Sequence, residues 1–131
     1  MNFPCQKVMI IDDTYIDRYI AEKILNKYSY AEQVLSLDSA IEALDYFGKQ
    51  AAPDDLPQLI FLDISMPRMD GFQFLEAFND LPAFIREYCK VIMLTSSLNK
   101  EDSESALKHP NVIGFINKPL DEEKLKKVLV Q

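Results

Sequence analysis

The chain has 131 residues, 48% of them hydrophobic and 27% charged, an ordinary globular balance, and its length fits a single domain over residues 1–131. Twenty-one acids against 14 bases give a formal net charge of −7, which disfavours nucleic acid as a direct partner, because such binding rests on neutralising phosphates with Lys and Arg. No apolar run approaches the roughly 20 residues of a membrane span, and the N-terminus lacks the basic-then-apolar order of a signal peptide, so the expected location is the cytoplasm.

The first apolar run, Lys7-Val-Met-Ile-Ile, is short, continuous and rich in β-branched residues, the pattern of a strand buried on both faces, and it runs into Asp12-Asp13. Thr14 with Asp17 three residues on makes a capping-box-like helix start, and Ile16, Ile20 and Ile24 mark one helical face. Gln33-Val-Leu-Ser-Leu is a second strand. Ser39 with Glu42 starts the next helix, Ala40, Ala43, Leu44 and Phe47 form its inner face, and Gly48 fits its end. A polar, proline-bounded loop, residues 52–57, precedes Gln58-Leu-Ile-Phe-Leu, a third strand running into Asp63.

Met66–Gly71 reads as a loop, and Phe72, Leu75 and Phe78 open a third helix that Pro82 interrupts, leaving residues 81–89 as either a helical extension or a structured loop. Lys90-Val-Ile-Met-Leu runs into Thr95. Asn99–Lys108 is a weak helix whose clear apolar anchors are Ala106 and Leu107. Val112-Ile-Gly-Phe-Ile-Asn runs into Lys118-Pro119, and the last helix opens near Asp121 and buries Leu125, Val128 and Leu129. Strand and helix alternate, five of each, which is the signature of an α/β fold with a parallel sheet.

If the runs pair as parallel neighbours, their polar ends converge on one edge of the sheet, where open α/β sheets bind ligands. Asp12, Asp13 and Asp63 would then meet Thr95 and Lys118. Clustered carboxylates raise one another's pKa unless a cation intervenes, and an all-oxygen set suits Mg²⁺, which takes one or two carboxylates with waters and phosphate oxygens. Three carboxylates balance one Mg²⁺ and one Lys, leaving a site able to receive an anionic phosphoryl group. Asp63 is the candidate nucleophile, since a carboxylate can accept a phosphoryl group as an acyl phosphate. Taken alone, Asp12-Asp13 reads equally well as a turn with a helix N-cap, Thr95 as a turn residue and Lys118 as a surface charge. The constellation carries the weight.

Other chemistry has little support. Cys5 and Cys89, with no C-x-x-C and no companion histidines, read as reduced structural thiols. His109, the only histidine, precedes Pro110 at a helix end and reads as a surface residue. Gly48, Gly71 and Gly114 are scattered, so no Gly-rich phosphate loop is present.

Asp12-Asp13, the string Asp63-Ile-Ser-Met-Pro67 followed by Met69-Asp-Gly71, Thr95-Ser96 and Phe115-Ile-Asn-Lys118-Pro119 together resemble the signature of bacterial two-component response-regulator receiver domains of the stand-alone chemotaxis or sporulation-phosphorelay type. The resemblance covers essentially the whole chain. It implies a flavodoxin-like (βα)5 sandwich with strand order 2-1-3-4-5. It also implies that Asp63 is the phosphoacceptor, supplied by a sensor histidine kinase or histidine phosphotransfer protein. Asp12, Asp13, Asp63 and the backbone carbonyl of Ser65 would hold Mg²⁺. Lys118 would contact the phosphoryl group, the Lys118–Pro119 bond would be cis, and Thr95 and Phe115 would form the switch pair. Ser65 and Ser97 fall at positions that tune dephosphorylation, and short hydroxyls there imply a phosphoryl lifetime that is not unusually long.

The expected output is a face made by the helix after Thr95, the Phe115 strand and the last helix, presented to a downstream protein target by a monomer or a phosphorylation-linked dimer. Two other classes compete. An aspartyl-nucleophile phosphatase would carry a second Asp two residues after the nucleophile, where Ser65 stands. An inert receiver-shaped module would lack one of the acidic pair, the acceptor or the Lys, all present here. The expected protein is therefore a signalling domain rather than an enzyme.

Overall fold

A computed structural model describes residues 4–50, 53–96 and 99–129 and contains one parallel sheet of five strands. They are β1 (Cys5–Ile11), β2 (Ala31–Leu37), β3 (Leu59–Asp63), β4 (Lys90–Thr95) and β5 (Val112–Asn117), lying in the order β2-β1-β3-β4-β5. The helices are α1 (Tyr15–Lys27), α2 (Ala40–Gly48), α3 (Gly71–Phe78), α4 (Ala83–Tyr88), α5 (Lys100–Leu107) and α6 (Glu122–Leu129), with a short 3-10 turn at Pro53–Asp55. This is the flavodoxin-like α/β fold expected from the sequence.

Because successive strand residues face opposite ways, the continuous apolar runs feed two cores. Met9, Ile11, Ile60, Leu62 and Met93 pack with Phe47 of α2, Phe74 and Phe78 of α3, Ile85 of α4 and Ala106 of α5. Val8, Ile10, Phe61, Ile92 and Leu94 pack on the other face with Ala21 and Leu25 of α1 and Leu125 of α6. β3, paired on both sides, is buried at all five positions. Cys5 and Cys89 are free, buried thiols, and burial pushes the Cys89 thiol up to about 12, which keeps it protonated and unreactive.

Several local expectations need correction. β5 is an edge strand paired on one side only, so four of its six residues are half-buried although both of its faces meet a core. Residues 81–89 contain a separate sixth helix, α4, because Pro82 ends the preceding turn and stands at its N-cap. Thr14 makes no side-chain cap; instead its N–H donates to Asp12 Oδ1 at 2.9 Å, and Asp17 is drawn elsewhere. The inward residues of α1 are Ala21 and Leu25, while Ile16 is 54% exposed. Leu107 is also 54% exposed, leaving Ala106 as the one buried residue of α5. The expectation that Gly48 fits the end of α2 holds: it is the last helical residue, with Lys49 as C-cap.

Two glycines permit close packing. At Gly71 a Cβ would lie 2.7 Å from the Asp63 carbonyl oxygen and 2.9 Å from Ile64 Cα. The bare backbone therefore lets α3 start directly against the end of β3, where Gly71 N–H donates to the Ile64 carbonyl at 2.8 Å. At Gly114 a Cβ would lie 2.2 Å from Val128 Cγ1, so α6 rests on the bare backbone of β5. Valine in a helix has one strongly preferred rotamer and cannot swing away cheaply. Gly114→Ala is expected to cost about 1–3 kcal/mol through overpacking, and Val128→Ala in the same chain should restore most of it. Urea titrations of the two variants check this; a loss that Val128→Ala leaves untouched would place the strain elsewhere.

Candidate functional site

The strand order places the C-terminal ends of β1 and β3 side by side, with Ile11 opposite Leu62. The next residue on each strand path is an aspartate. Asp12 is fully buried and Asp63 is 3% exposed, whereas Asp13 is exposed at the rim. One carboxylate oxygen from each of Asp12, Asp13 and Asp63 falls within 4.8 Å of the others. Arg18 Nη1 donates to the Asp12 carbonyl at 2.9 Å and braces this turn from α1. The Ser65 N–H donates to Asp63 Oδ1 at 3.4 Å, on the loop that ends at the α3 capping box between Asp70 and Gln73.

Lys118 completes the centre. Its backbone N–H donates to the Thr95 carbonyl at 2.7 Å, pinning the end of β5 to the end of β4, and its bond to Pro119 is cis. Its Nζ lies 2.7 Å from Asp12 Oδ2, 2.9 Å from Asp17 Oδ2 and 3.2 Å from Asp63 Oδ1. Thr95 is buried at the end of β4, one residue past Leu94, which pairs with Asp63. Phe115, on β5, is partly buried against the core beneath α2–α5. The site therefore joins Asp12, Asp13, Asp63 and Lys118 directly, with Thr95 and Ser65 attached through backbone. Phe115 stands apart as part of the packing. Ser97 lies outside the described residues.

Asp17 is the residue that sequence reasoning assigned to the wrong task. Its spacing from Thr14 suggested a cap. The structure turns it to a lysine 101 residues away. The available signal was its position one turn beyond Asp13 on the helix that leaves the site, which spacing within the helix alone does not exploit.

The electrostatics show a site with too little positive charge. Burial, and then the charge of Asp12, push the Asp63 carboxyl from its ordinary 3.8 up to about 6, against the pull of Lys118 and the Ser65 N–H. Burial works against the Lys118 ammonium, but its contacts with Asp12 and Asp17 and the charge of Asp63 hold its pKa above the ordinary lysine range. Asp12 Oδ2 is fully buried against the Lys118 ammonium, 2.7 Å away. Three converging carboxylates that share a single ammonium offer the all-oxygen donor set that fits a hard divalent cation.

Residues 8–130 match the family described as "Response regulator receiver domain". The chain is 34% identical over 122 residues to Protein PilG of Pseudomonas aeruginosa, covering 91% of this chain and 81% of that protein. It is 32% identical over 114 residues to the protein-glutamate methylesterase/protein-glutamine glutaminase of Photorhabdus laumondii, covering 86% of this chain and 29% of that protein. The chain thus spans about three-tenths of the length of such methylesterase relatives. Among solved structures it resembles a two-component response regulator from Cytophaga hutchinsonii, with TM-score 0.86, 26% identity and coverage of 97% of this chain and 98% of that one. It also resembles a response regulator receiver protein from Dyadobacter fermentans, with TM-score 0.82, 31% identity and coverage of 95% and 94%. A match over nearly the whole chain, on a fold that brings the acidic pair, the third aspartate and the lysine to one sheet edge, settles the assignment: the chain belongs to the response regulator receiver domain family of two-component signalling.

Proposed function

We propose that the chain is a cytoplasmic phosphorylation switch in which Asp63 accepts a phosphoryl group from a sensor histidine kinase or histidine phosphotransfer protein. The observation that carries this reading is the meeting of Asp63 with Asp12, Asp13 and Lys118, carboxylate oxygens within 4.8 Å and an ammonium 3.2 Å from the acceptor. In the transfer, an Asp63 oxygen forms a bond to phosphorus as the P–N bond of phosphohistidine breaks, and the departing imidazole nitrogen keeps the electron pair. Asp63 must be ionised to attack, and with a pKa near 6 it is largely so at neutral pH. Lys118 holds positive charge where the phosphoryl oxygens arrive, and the Thr95 hydroxyl supplies a hydrogen bond to them.

Asp12, Asp13, Asp63 and the Ser65 carbonyl would hold Mg²⁺. When bound, the cation supplies the positive charge that offsets the carboxylates and the phosphoryl oxygens. Phosphorylation and dephosphorylation are self-catalysed by these same residues, and the domain has no other enzymatic turnover.

Output runs through α5, β5 and α6 to a protein target. Ala106 alone anchors α5 in the core, which makes it the least costly helix to shift, and it follows directly on the Thr95 strand. Phe115, half-buried on the adjoining strand, couples that shift to the sheet.

Acetyl phosphate with Mg²⁺ should leave a phospho-adduct visible by mass spectrometry of the acid-denatured wild type, and none on Asp63→Asn. An adduct that persists on Asp63→Asn, or none on the wild type, would refute the assignment of the acceptor. Hydrogen exchange in the α5 segment should change when Mg²⁺ and beryllofluoride are added.

A further inference from the structure

We propose that Asp17 is a positioning residue that shares Lys118 with the acceptor and so slows phosphorylation by small anionic donors. The inference rests on the reading of Asp63 above.

An ammonium has three N–H donors. Around Lys118 there are three carboxylates, from Asp12, Asp17 and Asp63, and the acceptor is the most distant, at 3.2 Å against 2.7 and 2.9 Å. A phosphoryl oxygen reaching Lys118 must therefore displace a carboxylate. Asp12 and Asp63 belong to the acidic cup, but Asp17 does not. It stands in the first turn of α1, a different element from those bearing the cup, and its side chain is 27% exposed. It does not cap its own helix through Thr14, so its observed role is the bond to Lys118.

Charge points the same way. The three carboxylates of the cup are balanced by Lys118 and one divalent cation, and Asp17 adds a negative charge that this set does not offset. An anionic donor approaching Asp63 then meets a Lys118 ammonium already engaged by carboxylates. Removing the Asp17 charge frees Lys118 for the donor and leaves every cup residue in place.

The test compares wild type, Asp17→Asn and Asp17→Glu with acetyl phosphate at saturating Mg²⁺. In the reaction an Asp63 oxygen bonds to phosphorus, the bond between phosphorus and the acetyl oxygen breaks, and acetate leaves with the electron pair. Asp17→Asn should raise the initial rate of adduct formation about threefold to tenfold at low ionic strength, through a lower apparent KM. The gain should fade toward unity near 1 M salt, as a charge effect does and a packing effect does not. Asp17→Glu, which keeps the charge, should stay within about twofold of wild type on the same argument. Beryllofluoride, followed by ¹⁹F NMR, should bind Asp17→Asn more tightly by a similar factor. An Asp17→Asn rate equal to or below wild type, or a gain insensitive to salt, overturns the proposal. Wild type without an adduct, or Asp63→Asn with one, instead sinks the acceptor assignment and this inference with it.

Discussion

Replacing Lys118 with Met is expected to destabilise the metal-free protein by about 3–5 kcal/mol at pH 7.5, the usual cost of deleting one partner of a buried ion pair. Lys118 is the ammonium shared by Asp12, whose side chain is fully buried, Asp63, 5% exposed, and Asp17. Methionine fills similar space, so the loss comes from charge rather than from a cavity. The folded-state pKa of Lys118 is raised above 10.5, so its stabilisation is fully present below that pH and is lost only as pH rises through the higher folded value. At the acid end the deficit should shrink as the orphaned carboxylates protonate, and added Mg²⁺ should narrow it at neutral pH. The chain has six tyrosines and no tryptophan, so urea unfolding is best followed by far-UV circular dichroism. A loss under about 1 kcal/mol at pH 7.5 would mean that solvent, rather than Lys118, screens the cluster.

Asp63→Asn should act in the opposite direction. The Asp63 carboxyl titrates near 6 in the folded chain against an ordinary 3.8, so the folded state holds this proton more tightly than the unfolded state does. The associated stability is present below about pH 3.8 and is lost as pH rises toward 6, a change on the order of 3 kcal/mol across that window. Asparagine stays neutral and escapes the loss. The variant should therefore be more stable than metal-free wild type by about 2–3 kcal/mol at pH 7.5, and nearly equal to it at pH 3.5. An advantage that does not change with pH would trace to packing or hydrogen bonding instead. The site is thus kept acidic at the expense of stability, as expected where carboxylates await a cation.

Much of this was legible in the sequence because several signals agreed. The strands β1, β3 and β4 carry runs that are apolar at every position, since helices cover both faces, and each run stops at the residue that enters the site. Ser39 and Glu42 appeared as a helix start, and the Ser39 hydroxyl does accept from the Glu42 N–H at 3.1 Å. The misreadings arose where tertiary demands outweighed local pattern. The Ile16–Ile20–Ile24 stripe is offset from the inward face, which Ala21 and Leu25 form, because a small alanine adds little to a pattern read from large apolar residues. Hydrophobicity alone suggests Leu107 as an anchor, but Ala106 is the buried residue of α5 and Leu107 faces outward. Asp17 looked like a helix cap because nothing local reveals a lysine 101 residues downstream. The Phe115 strand looked enclosed because composition does not say which strand ends up at the edge.

That edge position affects the mechanical compliance of the site. Asp12 and Asp63 are borne by β1 and β3, each locked by a ladder of hydrogen bonds on both sides. Lys118 is borne by β5, which pairs with β4 alone and already slips register at Val91/Ile92, where Ile113 is passed over. A tug on Lys118 therefore works against one ladder instead of two. The strand it pulls carries Phe115 toward one core and Ile116 toward the other. The carboxylates sit on doubly paired strands and the ammonium on a singly paired one, so a load applied at Lys118 is felt in both helical layers while the acidic cup keeps its shape.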